Sequence, residues 1–308
     1  NYADPDGKEE EILKIIKEAA DLTSFSDELS ENCRDWVSSY HLSAVRANVL
    51  RPFTQLLRDA HVLEIGSGCG AITRFLGENS RQVTALEGTY RRSAITRLRT
   101  RDLDNVKVYC EDFNFFASEE KYDVATLIGV LEYAGCFSKS EEPAQELLAR
   151  ANHFLKDDGT LIIAIENKLG LKYFAGFHED HIGKQFYGIE DRYKKGEART
   201  YGLYELRALL MRAGFEHTHL FIPLPDYKFP ISILSEGSLD HQIFNGGEFA
   251  WQSVKSDRQI PANLNFDLGA AWRTVFENKL AIELGKPIFV LAKKKKIKKE
   301  TCLSIGWD

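Results

Sequence analysis

The stretch that decides the fold reads HVLEIGSGCG and spans residues 61–70. Residues 62–65 are apolar apart from Glu64, which predicts a short buried strand. Glycines follow at positions 66, 68 and 70. Glycine lets the chain turn sharply and lets a ligand lie against bare peptide N–H groups at the start of the next helix. We therefore expect a ligand-binding turn between this strand and a helix over residues 71–78.

The same order of strand, turn and helix continues along the chain. Apolar runs predict seven strands, and one-sided apolar stripes predict the helices between them. The strands are expected at residues 62–65, 83–86, 106–109, 122–128, 161–165, 218–222 and 287–292, and the helices at residues 71–78, 91–101, 142–155 and 204–213. This alternation predicts an α/β fold with a doubly wound, Rossmann-like, mostly parallel sheet.

Three regions are expected around this pattern. Residues 1–58 form an N-terminal helical cover, with helical stretches at 8–20 and 36–57. Residues 59–293 form the main domain, and they carry two substrate-side insertions, at about 167–200 and 224–285, of the length typical of lids or binding loops. Residues 294–308 form a basic tail or linker. The chain begins at Asn1 and holds a single methionine, so we expect either a trimmed chain or a segment of a longer protein.

Composition excludes several classes of protein. Of the 308 residues, 44% are hydrophobic and 28% charged, as in globular rather than disordered chains. The net charge of −6 argues against nucleic-acid binding through overall charge. No apolar run reaches the ~18 residues of a membrane helix. The five cysteines lack a C-x-x-C pair, so we expect a reducing cytoplasm.

The lysine-rich segment of residues 293–299 allows two interpretations. Six of its seven residues are lysines. We favour a solvated end of the last strand or the start of a linker. The alternative is an electrostatic patch for polyanionic glycan intermediates or for anionic lipid at the inner membrane face.

Acidic residues follow the predicted strands at one edge of the sheet. Glu64 lies inside the first strand, and Glu87 ends the second, 21 residues after Gly66. Asp112 and Phe113 follow the third strand. The carboxyl ends of parallel strands are where open α/β sheets bind ligands, and an acid at the second strand suits ribose hydroxyls. The G-x-G-x-G spacing differs from the G-x-G-x-x-G of NAD-binding proteins, which disfavours NAD.

This combination resembles the class I S-adenosylmethionine-dependent methyltransferases over residues 61–215, with residues 287–293 as their antiparallel last strand. The resemblance implies a seven-stranded sheet and methyl transfer that leaves S-adenosylhomocysteine. It also implies that the glycine loop holds the methionine part of the cofactor, that Glu87 takes the ribose hydroxyls and that Asp112 meets the adenine. An upstream helix covers the carboxylate end of the cofactor in that family, where Arg46 suits a carboxylate clamp. The implied cofactor-binding residues are Tyr40, Arg46, Glu64, Gly66, Ser67, Gly68, Gly70, Glu87, Gly88, Asp112, Phe113 and Gly129.

Four further runs, residues 36–46, 165–176, 179–181 and 225–230, resemble a narrower bacterial group. Its members belong to gene clusters for cell-surface polysaccharides (capsule or O-antigen) and are often fused to glycosyltransferases. The resemblance implies a glycan or sugar acceptor and an associated glycosyltransferase. Alternative acceptors are a small metabolite, a lipid head group or a protein carboxylate. A non-catalytic cofactor-binding scaffold of a glycan-assembly protein is the alternative outside enzymes.

A sugar hydroxyl needs help to become a nucleophile. It is weakly acidic near neutral pH, so a positioned histidine or carboxylate would assist by taking its proton. The candidates are Glu166, which ends the fifth predicted strand, and His178, Asp180 and His181 in the first insertion. Residues 178–181 also carry metal-ligating side chains, but four consecutive residues cannot all point at one ion without an unusual turn. We therefore expect no metal.

Overall fold

The computed structural model describes residues 7–239, 241 and 243–294. Within them eight strands form one sheet in the order β3-β2-β1-β4-β5-β8-β6-β7. The strands are β1 His61–Ile65, β2 Gln82–Glu87, β3 Val106–Cys110, β4 Tyr122–Ile128, β5 Leu155–Ile165, β6 His217–Leu224, β7 Ser232–Ser235 and β8 Ile288–Lys293. This confirms the Rossmann-like α/β fold, while the expected number of seven strands is wrong by one.

Pairing within the sheet explains both the parallel part and its antiparallel end. β1 pairs in parallel with β2, and β2 with β3. β8 runs antiparallel to both β5 and β6, as expected for the last strand. The additional strand, β7, pairs antiparallel with β6 after a short turn. The hairpin of β6 and β7 adds a strand at the sheet edge, whereas the sequence predicts an irregular insertion for this segment.

Thirteen α-helices accompany these strands in the described residues. They are α1 Lys8–Glu18, α2 Asp27–Ser30, α3 Trp36–Leu42, α4 Thr54–Leu57, α5 Ala71–Asn79, α6 Tyr90–Arg99, α7 Ala134–Phe137, α8 Pro143–Phe154, α9 Leu171–Phe174, α10 Leu203–Arg212, α11 Gly246–Val254, α12 Leu268–Glu277 and α13 Ala281–Leu284. None of them has the length and apolar character needed to cross a bilayer.

The chain divides into two compact units, of which the first holds residues 7–126 and 154–159. Its N-terminal cover buries Ile12 and Ile16 of α1 in a cluster with Ile95 of α6. The helical stretch expected at 36–57 is interrupted, because Ser43 adopts an extended conformation and its hydroxyl caps a following 3₁₀ segment, Ala44–Val49. A capping serine of this kind ends one helix and starts another.

The second unit holds residues 127–153 and 160–294. Its insertion at 224–285 is more regular than the sequence predicts, because it contains β7, α11 and α12. Asn245 and Asp267 cap the two helices by accepting hydrogen bonds from Glu248 N and Ala270 N. Apolar side chains of this region, including Trp272, form a buried cluster with Leu224 of β6. The predicted tail lies outside the described residues after Lys294.

Candidate functional site

The glycine loop between β1 and α5 is held in a conformation that favours glycine. Gly66, Gly68 and Gly70 have φ values of +80°, +55° and +80°, a region that other L-residues enter at a steric cost. A Cβ on Gly70 would also lie 3.0 Å from the Thr96 Cα of α6. The Gly66 and Ser67 N–H groups donate to Leu86 O at 2.9 Å each. The loop is therefore fixed against β2.

Glu87, at the end of β2, connects to this loop through its carboxylate. Oε2 accepts a hydrogen bond from Gly68 N at 2.9 Å, and Oε1 accepts from Thr89 N and Thr89 Oγ1 at 3.0 Å. A carboxylate has about four acceptor positions, so these three donors leave capacity for another. The neighbouring Gly88 is exposed, and no atom lies within 4 Å of the position its Cβ would take.

Glu64 is a buried carboxylate whose hydrogen bonding is incomplete. Its side chain is 3% exposed, and Oε2 has no hydrogen-bond partner among the described residues. Burial raises the pKa of Glu64 to about 7, and the charge of Glu87 adds to the increase. The Thr73 side chain and, to a smaller extent, Arg46 act in the opposite direction. A site of this kind is complementary to a cation that can donate a hydrogen bond.

Arg46 and Tyr40 form a second part of the same unit. Arg46 Nη2 donates to Tyr40 Oη at 3.1 Å, and its guanidinium carbon lies 4.6 Å from the Tyr40 ring centroid. Arg46 is buried and acts electrostatically on Glu64. Opposite charges therefore lie within one buried region, as an amino-acid ligand requires.

Two predicted adenine contacts follow β3 in different environments. Asp112 is half-buried, and its Oδ1 accepts a hydrogen bond from Asn114 N at 2.8 Å. Phe113 is buried, with its ring centroid 5.8 Å from that of Phe154. Asp112 thus keeps part of its carboxylate exposed, whereas Phe113 packs into the core.

The second unit contains a buried group of ionisable side chains around Glu166, at the carboxyl end of β5. Glu166 Oε2 lies 3.4 Å from His181 Nε2, and Glu166 Oε1 accepts hydrogen bonds from Lys228 Nζ and, at 3.3 Å, from Tyr227 Oη. His181 Nδ1 lies 3.0 Å from Tyr133 Oη. The structure therefore joins a tyrosine, a histidine and a carboxylate in one chain of contacts.

Burial and opposing charges shift the pKa values in this group. Burial alone would raise the pKa of Glu166, but Lys228 and His181 hold it well below its usual range. Burial lowers the pKa of His181, yet the Glu166 carboxylate outweighs this effect and raises it to about 9. Glu132 lies in a 3₁₀ turn after β4, and burial together with Glu166 raises its pKa to about 8.

The other predicted catalytic residues differ in position. Asp180 joins the buried group, since Oδ2 accepts from Tyr173 Oη at 2.6 Å and from Lys286, and Oδ1 accepts from Lys228 at 3.1 Å. His178 is exposed and pairs through its backbone with Gln185. The structure therefore brings Glu166, Asp180 and His181 together and leaves His178 at the surface.

Gly129, a predicted cofactor residue, lies at the end of β4, and a Cβ there would meet Tyr227 Oη at 2.9 Å.

Sequence reasoning missed most partners in the buried group around Glu166. Nearly all the missed residues lie in runs that the sequence had marked only by resemblance, or in the segment after β4. These residues are Glu132, Tyr133, Lys172, Tyr173, Asp226, Tyr227, Lys228 and Lys286.

A cavity of about 550 Å³ also lies in the second unit. Its wall includes Tyr193, Tyr201 and Tyr204 together with Arg199 and several other charged residues. The Arg199 N–H donates to the Glu132 carbonyl oxygen at 2.8 Å. The cavity wall is therefore bonded to the turn that carries Glu132.

Comparison with known proteins supports a methyltransferase class for this fold. The sequence model of a methyltransferase domain family matches residues 63–161, about a third of the chain. The matched residues include most of β1, the glycine loop, Glu87 and Asp112. The sheet topology and this match together support a class I S-adenosylmethionine-dependent methyltransferase.

Individual relatives match shorter segments or match at low identity. Ribosomal RNA small subunit methyltransferase A of Streptococcus thermophilus is 45% identical over 58 residues, covering 19% of this chain and 20% of that protein. The Streptococcus mutans enzyme of the same name is 46% identical over 55 residues, covering 18% and 19%. The matched segment thus spans about a fifth of the length of these curated relatives. A Thermotoga maritima SAM-dependent methyltransferase structure is 18% identical, with 88% and 99% of the chains covered and a TM-score of 0.47.

Proposed function

We propose that this chain transfers a methyl group from S-adenosylmethionine to a hydroxyl of a sugar in a bacterial cell-surface polysaccharide. The observation that carries the cofactor assignment is Glu64, a buried carboxylate with an oxygen that has no partner among the described residues, within electrostatic range of the buried Arg46. The methionine part of the cofactor has an ammonium and a carboxylate. Glu64 suits the first group and Arg46 suits the second.

The remaining contacts of the cofactor follow from the edge of the sheet. The methionine part would lie over the glycine loop before α5, whose lack of side chains at Gly66, Gly68 and Gly70 allows a close approach. The N–H groups of Ser67 and Gly68 already donate to Leu86 O and Glu87 Oε2 and hold the loop in shape. Glu87 keeps acceptor capacity for a ribose hydroxyl, and the half-buried Asp112 for the adenine amino group. The product held by the same contacts is S-adenosylhomocysteine.

Methyl transfer places its main chemical demand on the acceptor. The acceptor oxygen forms a bond to the methyl carbon while the carbon–sulfur bond breaks, and its electron pair stays on the sulfur of S-adenosylhomocysteine. A hydroxyl acceptor must also lose its proton, and we assign His181 in its neutral form to take it. The Glu166 carboxylate beside Nε2 raises the pKa of His181 to about 9, so the neutral form increases as pH rises towards 9, and Tyr133 holds the imidazole ring through Nδ1.

The 550 Å³ cavity, whose wall includes none of Glu166, Asp180 and His181, has features that suit a sugar ring. Tyrosine rings offer flat apolar faces with a polar edge, and the charged groups beside them suit hydroxyl-rich ligands. The resemblance of residues 165–176 and 225–230 to polysaccharide-cluster methyltransferases supports the same class. An associated glycosyltransferase is the partner that this assignment implies.

Calorimetric titration with S-adenosylhomocysteine tests the cofactor assignment, with NAD as a parallel ligand. We expect binding of S-adenosylhomocysteine alone, abolished in Glu87→Ala and retained in Glu119→Ala, a matched change at an exposed site. Binding of NAD instead would overturn the assignment. Binding of neither ligand would favour a scaffold without turnover.

Transfer of labelled methyl to a panel of acceptors then tests the substrate class. The panel holds oligosaccharides, small hydroxylated metabolites, lipid head-group analogues and carboxylate-bearing peptides. We expect label on an oligosaccharide and loss of transfer in His181→Gln with cofactor binding intact. Label on another class, or unchanged transfer in the variant, would overturn the corresponding part of the proposal.

A further inference from the structure

Three potential metal ligands from separate segments meet in the second unit. Glu132 follows β4, Glu166 ends β5 and His181 lies in the first insertion. One ligand atom from each lies within 4.8 Å of the other two. Two carboxylates and an imidazole at this separation can converge on one ion after small adjustments.

A second, independent observation is that one carboxylate oxygen of Glu132 has no hydrogen-bond partner among the described residues. Its side chain is 1% exposed, and Oε2 has no hydrogen-bond partner among the described residues. A buried polar atom without a partner costs about 1–3 kcal/mol. Protonation of the carboxylate would not remove the cost, since a hydroxyl there would also need an acceptor. A bound cation would satisfy the oxygen directly.

Neighbouring side chains already orient the ligands. Glu166 Oε1 is held by Lys228 and Tyr227, which leaves Oε2 on the side of His181. Tyr133 contacts His181 Nδ1 and leaves Nε2 facing Glu166. Such outer contacts are a regular part of metal sites, because they fix the ring and the carboxylate in place.

We propose that Glu132, Glu166 and His181 bind one divalent transition-metal ion, Zn²⁺ or Mn²⁺. The mixed imidazole and carboxylate set suits these ions better than Mg²⁺ or Ca²⁺, which prefer oxygen ligands alone. Three protein ligands leave a position open for a further oxygen, whose proton the ion would make more acidic. The expectation of no metal rested on residues 178–181, of which only His181 belongs to this site. An ion on His181 would occupy the side chain that the proposed function assigns to take a proton, so in the metal-bound chain the ion and not the imidazole would activate the acceptor hydroxyl. Binding of the ion itself is measured without methyl transfer.

Equilibrium dialysis and calorimetry on the chelator-treated, dialysed chain test this site with Zn²⁺ and Mn²⁺. We expect one ion per chain, and binding weakened on the order of 100-fold in Glu132→Gln and in His181→Gln. Glu216→Gln and His219→Gln, exposed on or beside β6, are matched controls that should bind like the wild type. Co²⁺ provides a spectroscopic reading, since its visible absorption should change in His181→Gln.

The outcomes separate this site from the cofactor site. Absence of saturable binding by the wild type overturns the metal proposal, as does equal binding by the wild type, Glu132→Gln and His181→Gln. Thermal melting without metal checks that each variant is folded, so that weakened binding reports loss of a ligand and not unfolding. S-adenosylhomocysteine titration of the same variants shows whether the proposed function fails separately.

Discussion

Replacement of Glu64 by glutamine should change stability and cofactor affinity in opposite ways. Burial raises the pKa of Glu64 from 4.5 to about 7. Between these values the folded chain keeps the proton while the unfolded chain releases it, so the wild type loses stability as pH rises and levels off above pH 7. Each pKa unit corresponds to ~1.4 kcal/mol. The difference between the pKa values of Glu64 in the unfolded and folded chain therefore lowers the free energy of unfolding by about 3 kcal/mol above pH 7.

Glutamine at position 64 cannot titrate, so the Glu64→Gln variant does not lose stability as pH rises in this range. Urea unfolding of both proteins from pH 4.5 to pH 8 should show their free energies of unfolding diverging by about 3 kcal/mol in favour of the variant. Comparison across pH removes any constant cost of burying the new amide. Affinity for S-adenosylhomocysteine should fall on the order of 10- to 100-fold, because a hydrogen bond between charged groups is lost.

Glu18→Gln at the exposed end of α1 is the matched control and should change neither quantity. A constant difference in unfolding free energy between the wild type and Glu64→Gln across this pH range would refute the raised pKa. Unchanged affinity would refute the assignment of Glu64 to the ammonium group. The two results are independent, so each can fail separately.

Three further changes test other parts of the structure. Gly70→Ala should lower the free energy of unfolding in urea by about 1–3 kcal/mol, because alanine is strained at a φ of +80°. Gly237→Ala, which has open space around it, should change it by no more than about 0.5 kcal/mol. Equal effects of the two changes would contradict the role of backbone strain at Gly70. In the metal-free protein, an NMR titration of His181 should have its midpoint near pH 9 and a lower one in Glu166→Gln; an ordinary midpoint in the wild type would refute the pairing. Lys228→Met should destabilise the chain by about 3–5 kcal/mol by leaving Glu166 buried without its main cation, and combining it with Glu166→Gln should restore part of the loss; no restoration would place the effect elsewhere.

The fold of the first unit could be predicted because the residues that determine it lie close together in the sequence. Strand β1, the glycine loop and helix α5 are contiguous, and the conformation of the loop depends on residues within it. The regular distance from Gly66 to Glu87 reflects one strand–helix–strand repeat. Contacts between Glu87 and the loop then follow from parallel pairing of β1 with β2. The sequence did not show that burial leaves Glu64 Oε2 without a partner, because that depends on surrounding segments.

The second unit was less predictable because its important contacts join distant positions. Lys286 meets Asp180 across 106 residues, and Lys228 meets Glu166 across 62. Single lysines in a sequence read as surface residues, and no spacing rule brings these together. The helix caps Asn245 and Asp267 are visible in the sequence, and Leu268, Trp272 and Val275 have helical spacing, so α12 was predictable from the sequence and was missed.

Fold stability does not explain why Glu64 and Glu132 are buried. Each is a buried carboxylate with an oxygen that has no partner among the described residues, and each has a raised pKa. Apolar residues of similar size would remove both costs. Other buried acids of the chain, such as Glu166 and Asp180, have cations beside them. Among the described carboxylates, the buried oxygens without a hydrogen-bond partner are those of Glu64 before the glycine loop and Glu132 beside the histidine, where a bound ammonium group or cation would supply the missing interaction.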